Sequence, residues 1–223
     1  MGVLALAQPA EGEIIYTAAH RVIGRNSSYN LDLNHDGMTD FILTNRYSCD
    51  IGGCFYDFGG FGAGSGNGIA VGPDYLARAL RPGARIGFNQ HFLSGNRQLV
   101  SVFHYSTGKY RQGGYWVNVS NRYLGLKFKI KGKFHFGWAR LSVKVQKAKI
   151  TGTLTGYAYE TIPNKAIIAG ETKGPEESSI EQSNSALKAP TPERATLGLL
   201  ALGSPALSIW RREESVAATP ESN

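Results

Sequence analysis

Oxygen-bearing side chains are concentrated in one short segment near the N-terminal end of the 223-residue chain. Asp32, Asn34 and Asp36 occupy alternate positions, Gly37 follows them, and Asp40 is the ninth residue of the segment. Hard cations such as Ca²⁺ bind several carboxylate and carbonyl oxygens, and a central glycine lets the chain turn sharply back over the ion. The spacing therefore predicts a structural calcium loop. The alternative is an Asp/Asn/Gly-rich hairpin turn that holds no metal.

The remaining positions of this segment decide which kind of calcium loop is predicted. The backbone carbonyl of Met38, at the seventh position, is predicted to be a further ligand. The twelfth position is Leu43, where an EF-hand has a bidentate Glu, so a helix–loop–helix site is excluded. The segment instead resembles the dockerin/FG-GAP-like calcium loops that join strands in secreted repeat and adhesion proteins.

The two cysteines of the chain, Cys49 and Cys54, lie close together with a Gly-Gly pair between them. In an oxidising compartment such a pair is predicted to close a small disulfide loop, with the glycines at the turn. A metal site would need a second Cys pair or a Cys/His set, and redox catalysis would favour C-x-x-C spacing. We therefore predict a structural disulfide.

A row of lysines is the candidate binding site for a polyanion. Lys127, Lys129 and Lys131 alternate with apolar residues, which predicts a strand with one buried and one solvated face. Such a basic face could hold an acidic exopolysaccharide or lipopolysaccharide. The alternative is the ordinary solvated face of an antiparallel sheet. Nucleic acid is not expected as a partner, because no aromatic RNA-binding motif, zinc finger or helix-turn-helix pattern accompanies the charge.

The distribution of charge limits the classes of enzyme that the chain could be. Residues 11–170 contain 19 Lys/Arg against nine Asp/Glu, and no acid occurs between Asp74 and Glu160. Glycosidases and aspartic proteases need paired carboxylates, which this long stretch cannot supply. The histidines are scattered, and neither H-E-x-x-H nor G-x-S-x-G occurs. No catalytic residues and no enzymatic activity are therefore predicted.

Short alternating segments predict that these residues are carried by an all-β domain. The predicted strands are Glu13–Ile23, Phe41–Tyr47, Cys54–Phe58, Gln98–Tyr105, Tyr115–Val119, Tyr123–Ile130, Phe134–Val145 and Lys149–Tyr159. Strands at hairpin spacing, with almost no helical periodicity, predict an antiparallel β-sandwich of the jelly-roll or lectin-like type over residues 11–170.

Three segments of this domain carry more local predictions. Residues 136 and 138 are aromatic and residues 141 and 143 are aliphatic, so a bulge near Ala139-Arg140 is predicted to turn both sets into one core. The glycine-rich stretch Gly59–Gly68 is predicted to be a flexible turn, since it fits no phosphate-binding pattern. Residues 73–80 are predicted to form one or two helical turns.

The C-terminal region has the organisation of a sorting signal. Residues 171–189 are rich in Glu, Ser, Gln, Asn and Pro and predict a disordered linker, and residues 215–223 form a polar tail. Between them, Pro192 and Glu193 precede an apolar run over residues 195–210, which Arg211 and Arg212 close. The run leaves no polar face and predicts a hydrophobic transmembrane helix; a buried or amphipathic helix is the alternative.

This region, residues 190–214, resembles a PEP-CTERM sorting signal of exported bacterial proteins. The resemblance rests on Pro192 and Glu193, on Ala195 and Thr196 at the start of the apolar run, and on the closing arginine pair. Arg194 stands where the second proline of the motif usually lies. The resemblance implies export, transient anchoring in the membrane by the C-terminal segment, and processing by an exosortase-type enzyme.

The N-terminal residues point in the same direction. Residues 1–10 combine a short apolar piece with small residues, which predicts the remnant of a secretory signal peptide; an apolar strand is the alternative. Together these features predict a non-enzymatic cell-surface or extracellular-matrix protein with a structural calcium loop. The alternative function is a secreted carbohydrate-active hydrolase on a lectin-like sandwich, which would require an aromatic groove with a convergent carboxylate pair.

Overall fold

Antiparallel strands account for the regular structure of residues 12–147 and 149–174, the part of the chain that the computed structural model describes. No helix occurs among these residues. The strands are β1 (Ile14–Ile23), β2 (Ser27–Leu31), β3 (Phe41–Asp50), β4 (Gly53–Gly62), β5 (Gly68–Ala70), β6 (Arg85–Ile86), β7 (Phe92–Leu93), β8 (Arg97–Tyr105), β9 (Tyr110–Gly113), β10 (Val119–Ile130), β11 (Lys133–Gln146), β12 (Lys149–Glu160) and β13 (Ile167–Ile168). The predicted all-β class is confirmed.

The strands form two large sheets and one short ribbon. The first sheet has the order β1-β12-β11-β10-β5-β7, the second has the order β2-β3-β4-β8-β9, and β13 pairs with β6. Every pairing between these strands is antiparallel. Half of the ten strand pairings join strands that are consecutive in sequence, which explains why hairpin spacing was visible in the sequence.

The two large sheets face each other across the main hydrophobic core in a sandwich-like arrangement. Leu43 and Phe58 of the second sheet and Leu126 and Leu154 of the first are completely buried in this one cluster. The sheets approach so closely that a Cβ added at Gly152 of β12 would overlap the Phe58 ring. Buried apolar area of this kind contributes ~25 cal/mol per Å² to folding and accounts for the pairing of the sheets.

The outer face of the six-stranded sheet is also covered, and this corrects the prediction of one core. Phe136 and Trp138 are fully buried, but in a second cluster with Ile86, Tyr123 and the ribbon strand β13. Alternation along β11 therefore continues without interruption, with its aromatic residues outward and its aliphatic residues inward. A register shift does occur beside Arg140, in the pairing with β12, but it is not what buries both sets.

Other local predictions were wrong in instructive ways. Residues 73–80 form turns and isolated bridges, not helical turns, and residues 115–118 form a turn that precedes β10. The residues Gly59–Gly62 belong to β4, where small residues are needed because Leu43 and Ile69 lie against Gly60. Glycine is therefore required here because bulky side chains pack against the strand, and a glycine-rich stretch does not by itself indicate a turn.

The described residues end inside the segment predicted to be a linker. Residues 171–174 have no regular secondary structure, and the Glu171 N–H donates to the Ile168 carbonyl at 3.1 Å. The signal-peptide remnant, the sorting signal and the polar tail lie outside the described residues. Within the described residues, no helix has the length and apolar character needed to cross a membrane.

Candidate metal centre

The predicted calcium loop is the connection between β2 and β3. Leu31 and Phe41 are paired where the two strands meet, and the Asp40 N–H donates to the Leu31 carbonyl at 2.9 Å. Residues 32–40 therefore form the closed end of an antiparallel hairpin. Leu33 is fully buried in the main core, so one side of the loop is fixed to the body of the domain.

Two of the predicted ligands, Asp32 and Asp40, hold the loop closed by accepting backbone N–H groups from within it. Asp32 Oδ2 accepts the Gly37 N–H at 2.8 Å, and Gly37 has a φ of 86°, in the left-handed region that favours glycine. Asp40 Oδ2 accepts the Leu33 N–H at 2.8 Å from the opposite end of the loop. These bonds bring the first and ninth positions back onto the chain, which is the curvature that a cation-binding loop needs.

Asp36 occupies the middle of the loop. Its Oδ1 accepts the Met38 N–H and its Oδ2 accepts the Asn34 side-chain amide, both at 2.9 Å. The bond from Asn34, then that from Met38, lowers the pKa of this exposed carboxyl, so Asp36 is ionised at neutral pH. The Met38 side chain is 69% exposed and takes no part, as expected for a residue predicted to contribute its carbonyl alone.

Two oxygens of the predicted ligand set have no partner. Asp32 Oδ1 and Asn34 Oδ1 are both inaccessible to solvent, and neither accepts a hydrogen bond. An unpaired buried acceptor costs ~1–3 kcal/mol, so native proteins rarely leave two of them in neighbouring positions. An ion bound by both oxygens would remove that cost. The donor set therefore fits a hard cation such as Ca²⁺.

Asp40, at the ninth position, lies near other negative charges and forms no salt bridge with a described residue that would balance them. Burial raises the pKa of Asp40 to about 6, and the negative charges of Asp36 and Asp32 contribute to the increase. A bound cation would reverse both effects, since it would favour the ionised carboxylate. Among the described residues, no three His, Cys, Asp or Glu side chains converge closely enough to hold a metal. A site here would therefore also use Asn34 and the Met38 carbonyl.

A histidine that the spacing argument did not use anchors the loop to the first sheet. His35 has a φ of 58°, its Nε2 is hydrogen-bonded to Thr17 Oγ1 at 2.9 Å, and its ring lies 5.8 Å from that of Tyr157. Thr17 belongs to β1 and Tyr157 to β12, so these contacts tie the hairpin to the opposite sheet. The spacing of the loop residues gives no sign of these contacts, because Thr17 and Tyr157 are distant from His35 in sequence.

The predicted disulfide is present at the other end of the second sheet. Cys49 and Cys54 are paired across the β3–β4 hairpin and bonded, with Cα atoms 4.0 Å apart. Asp50 Oδ1 accepts the N–H groups of Gly52 and Gly53, at 2.8 and 3.1 Å, and so closes the turn. Gly53 is required here, because a Cβ would overlap the His104 carbonyl.

The three predicted polyanion-binding lysines do not form one open row. The amines of Lys127 and Lys129 lie over the Phe134 ring, 4.8 and 5.1 Å from its centroid. Lys131 lies in the turn after β10 with a φ of 49°, away from the strand alternation. Cation–π contacts of this kind contribute ~0.5–1 kcal/mol at exposed sites. The amines of Lys127 and Lys129 therefore already contact a residue of their own sheet.

The surface of the described residues includes the following three clefts. One is lined by Arg46, Asp57 and Asn96 among others, a second by Phe55 and Arg111, and the third by arginines from two segments. Asp57 is the one carboxylate among their lining residues, and burial raises its pKa. A single carboxylate does not supply the acid–base pair of glycoside hydrolysis.

Comparison with known proteins gives no relative from which a function could be transferred. The sequence matches no protein-family model, and neither a curated protein nor a solved structure is significantly similar to it.

Proposed function

We propose that this chain is a non-enzymatic exported protein of the cell surface or extracellular matrix, and that its β domain is stabilised by a structural Ca²⁺ ion. The observation that carries the proposal is the pair of buried, unpartnered oxygens on Asp32 and Asn34. They occupy the first and third positions of the loop, where the spacing places calcium ligands. An ion there would fix the β2–β3 hairpin, and it has no role in catalysis.

Export is the second part of the proposal. The Cys49–Cys54 disulfide supports it, because such bonds persist in oxidising compartments. The PEP-CTERM-like residues support it from sequence alone, with an exosortase-type enzyme as the processing partner and the run 195–210 as a transient membrane anchor. Acidic exopolysaccharide is the proposed ligand of the domain, whose sandwich we assign to the lectin-like or jelly-roll type. The hydrolase alternative gains no support from clefts with one carboxylate among them.

The proposal is tested by thermal unfolding of the full chain with Ca²⁺ and with chelator. An ion that binds only the folded state stabilises it by ~2.7 kcal/mol at a concentration of 100 times Kd. For a domain of this size that corresponds to a Tm increase of roughly 5–10 °C. Asp36→Ala should abolish the increase, because it removes a ligand at the fifth position.

Asp50→Ala is the matched control, since Asp50 also accepts backbone N–H groups in a turn but lies outside the loop. This variant should keep the full calcium response whatever its own stability. An unchanged Tm of the parent protein at millimolar Ca²⁺ would reduce residues 32–40 to a metal-free turn and contradict the proposal.

A further inference from the structure

A cleft lined by three arginines lies outside the calcium loop and the lysine row. It has a volume of about 650 Å³, which is within the range of small-ligand sites. Two separate segments build it, the first between β5 and β6 and the second around the start of β10. Its lining includes Gly72, Leu80 and Tyr115 together with the arginines Arg78, Arg81 and Arg122. We refer to it as the arginine cleft.

Backbone pairing forces two of the arginines together. Leu80 and Tyr123 form an isolated antiparallel bridge in which each N–H donates to the other's carbonyl, at 2.9 and 3.0 Å. Arg81 follows Leu80 and Arg122 precedes Tyr123, so the bridge places the two arginine backbones beside each other. Like charges on neighbouring antiparallel segments repel each other. The bridge therefore brings two positive charges together in the lining of the cleft.

None of the cleft arginines forms a salt bridge with a described residue. The salt bridges among these residues join Arg46 to Asp57 and Lys165 to Glu160. The first segment of the cleft also carries Asp74, whose carboxylate accepts hydrogen bonds from the Tyr115 hydroxyl and from the Leu76 N–H. Three arginines therefore outnumber the single carboxylate of the two segments.

An exposed aromatic ring lies among the arginines. Tyr115, 45% exposed, lines the cleft, whereas Tyr75 lies in the turn that begins at Gly72, with its ring 6.1 Å from that of His91. A Cβ on Gly72 would lie 2.9 Å from Asp74 Oδ1 and 3.0 Å from the Tyr115 hydroxyl, so glycine lets the hydrogen-bonded Asp74–Tyr115 pair lie against the turn.

We propose that the arginine cleft binds the carboxylate groups of an acidic polysaccharide, with Tyr115 stacking against a sugar ring. Guanidinium groups bind carboxylates through two parallel hydrogen bonds, and three arginines without a salt bridge match a ligand with repeated negative charge. The exposed Tyr115 ring favours a sugar polymer over a simple anion, because a sugar ring has an apolar face that can cover it. The inference rests on the proposed function for the class of ligand and assigns that ligand to a different site.

The test measures binding of polygalacturonate to the full chain by isothermal titration calorimetry, in chelator, so that the calcium loop takes no part. The triple variant Arg78→Gln/Arg81→Gln/Arg122→Gln should weaken binding by about 30-fold or more, since it removes every charge-assisted bond in the cleft. Lys109→Gln/Lys133→Gln/Lys144→Gln removes the same total charge from exposed positions and should change Kd less than about threefold. Neutral dextran should not bind.

Several outcomes would overturn the inference. Equal weakening by both triple variants would indicate unspecific attraction to net charge. Loss of binding only in Lys127→Gln/Lys129→Gln/Lys131→Gln would show that the polysaccharide binds at these lysines and not in the cleft. Tighter binding of inorganic polyphosphate than of polygalacturonate at the cleft would exclude a sugar-specific site. Absence of binding by the parent protein would contradict it outright.

Failure of this inference can be distinguished from failure of the calcium proposal. The arginine variant should retain the parent's Tm response to Ca²⁺, because the cleft lies outside the β2–β3 hairpin. A retained response together with lost polygalacturonate binding supports both assignments. A lost response would show that the substitutions damaged the fold, and Gly72→Ala then serves as the second variant. Its extra methyl displaces the Tyr115 ring together with the Asp74 carboxylate bonded to it, without altering charge, and it should weaken binding by about three- to tenfold.

Discussion

The calcium loop and the arginine cleft share one electrostatic feature and differ in how the chain produces it. Each gathers groups of one charge without their counterparts: acceptors at residues 32–40, donors at Arg78, Arg81 and Arg122. In the loop, nine consecutive residues contain the whole set. In the cleft, the arginines come from two segments that meet through the Leu80–Tyr123 bridge.

The two regions also differ in how many of their charged groups are hydrogen-bonded within the protein. The loop carboxylates each use an oxygen to bind a backbone N–H, as with Asp32 to Gly37 and Asp40 to Leu33. Within the loop, only Asp32 Oδ1 and Asn34 Oδ1 are buried without a partner. The three cleft guanidiniums make no hydrogen bond or ion pair with the described residues, and solvent screens them. We therefore expect the loop to affect stability strongly and the cleft to affect it weakly.

The largest expected effect that tests this comparison is the pH dependence of the calcium-free protein. Because burial raises the pKa of Asp40 to about 6, the native state binds more protons than the unfolded chain between about pH 4 and 6. Stability should therefore fall as pH rises through that window, by about 2 kcal/mol in urea unfolding with chelator present.

Asp40→Asn should remove most of this fall, because the amide oxygen still accepts the Leu33 N–H but no charge develops. Asp57, whose pKa is also raised by burial, contributes a slope of the same sign in both proteins. The difference between parent and variant therefore isolates Asp40. Parallel pH profiles would show that the ninth position carries no electrostatic strain.

The sequence predicts a region well when its residues lie in one continuous segment and poorly when they come from distant segments. The hairpin turn at residues 32–40 and the disulfide depend on local spacing, since their residues are separated by eight positions or fewer, and both could be located from the sequence. The assignment of calcium ligands within the turn stays a prediction. The all-β class followed from alternation for the same reason. What was missed depends on contacts between distant segments: His35 on Thr17, and Phe136 and Trp138 under residues 86 and 167.

The arginine cleft is the clearest example of this limit. The sequence showed a long stretch without acids but not where its arginines meet, because Tyr115–Val119 was predicted as a strand and residues 73–80 as helical. Both segments are turns and bridges, and only that irregular backbone brings Arg81 beside Arg122. Secondary-structure periodicity carries no information about such segments.

An effect of intermediate size should appear when one unpartnered oxygen of the loop is replaced. Asp32→Asn keeps an acceptor for the Gly37 N–H and puts an amide where Asp32 Oδ1 lacks a partner. In chelator the variant should be more stable than the parent by about 0.5–1 kcal/mol at pH 7, because it removes the repulsion between the Asp32 and Asp40 carboxylates while one unpartnered polar group replaces another. With saturating Ca²⁺ the order should reverse, because an amide nitrogen cannot bind the ion. Urea unfolding under both conditions measures this crossing, and the same order in both would argue against Asp32 as a ligand.

The smallest expected effect belongs to the cleft. Arg122→Gln should stabilise the ligand-free protein by about 0.3–0.5 kcal/mol at low ionic strength, because it removes the charge beside Arg81 and breaks no hydrogen bond to the described residues. The gain should disappear near 0.5 M salt, where screening acts over a few ångströms.

Arg140 is the matched control, since its guanidinium donates to Thr155 Oγ1, the Thr155 carbonyl and the Tyr16 hydroxyl at 2.9–3.3 Å. Arg140→Gln should therefore destabilise at every salt concentration. If Arg122→Gln also destabilised the protein at low salt, the cleft arginines would be structural, and the contrast between the two regions would no longer hold.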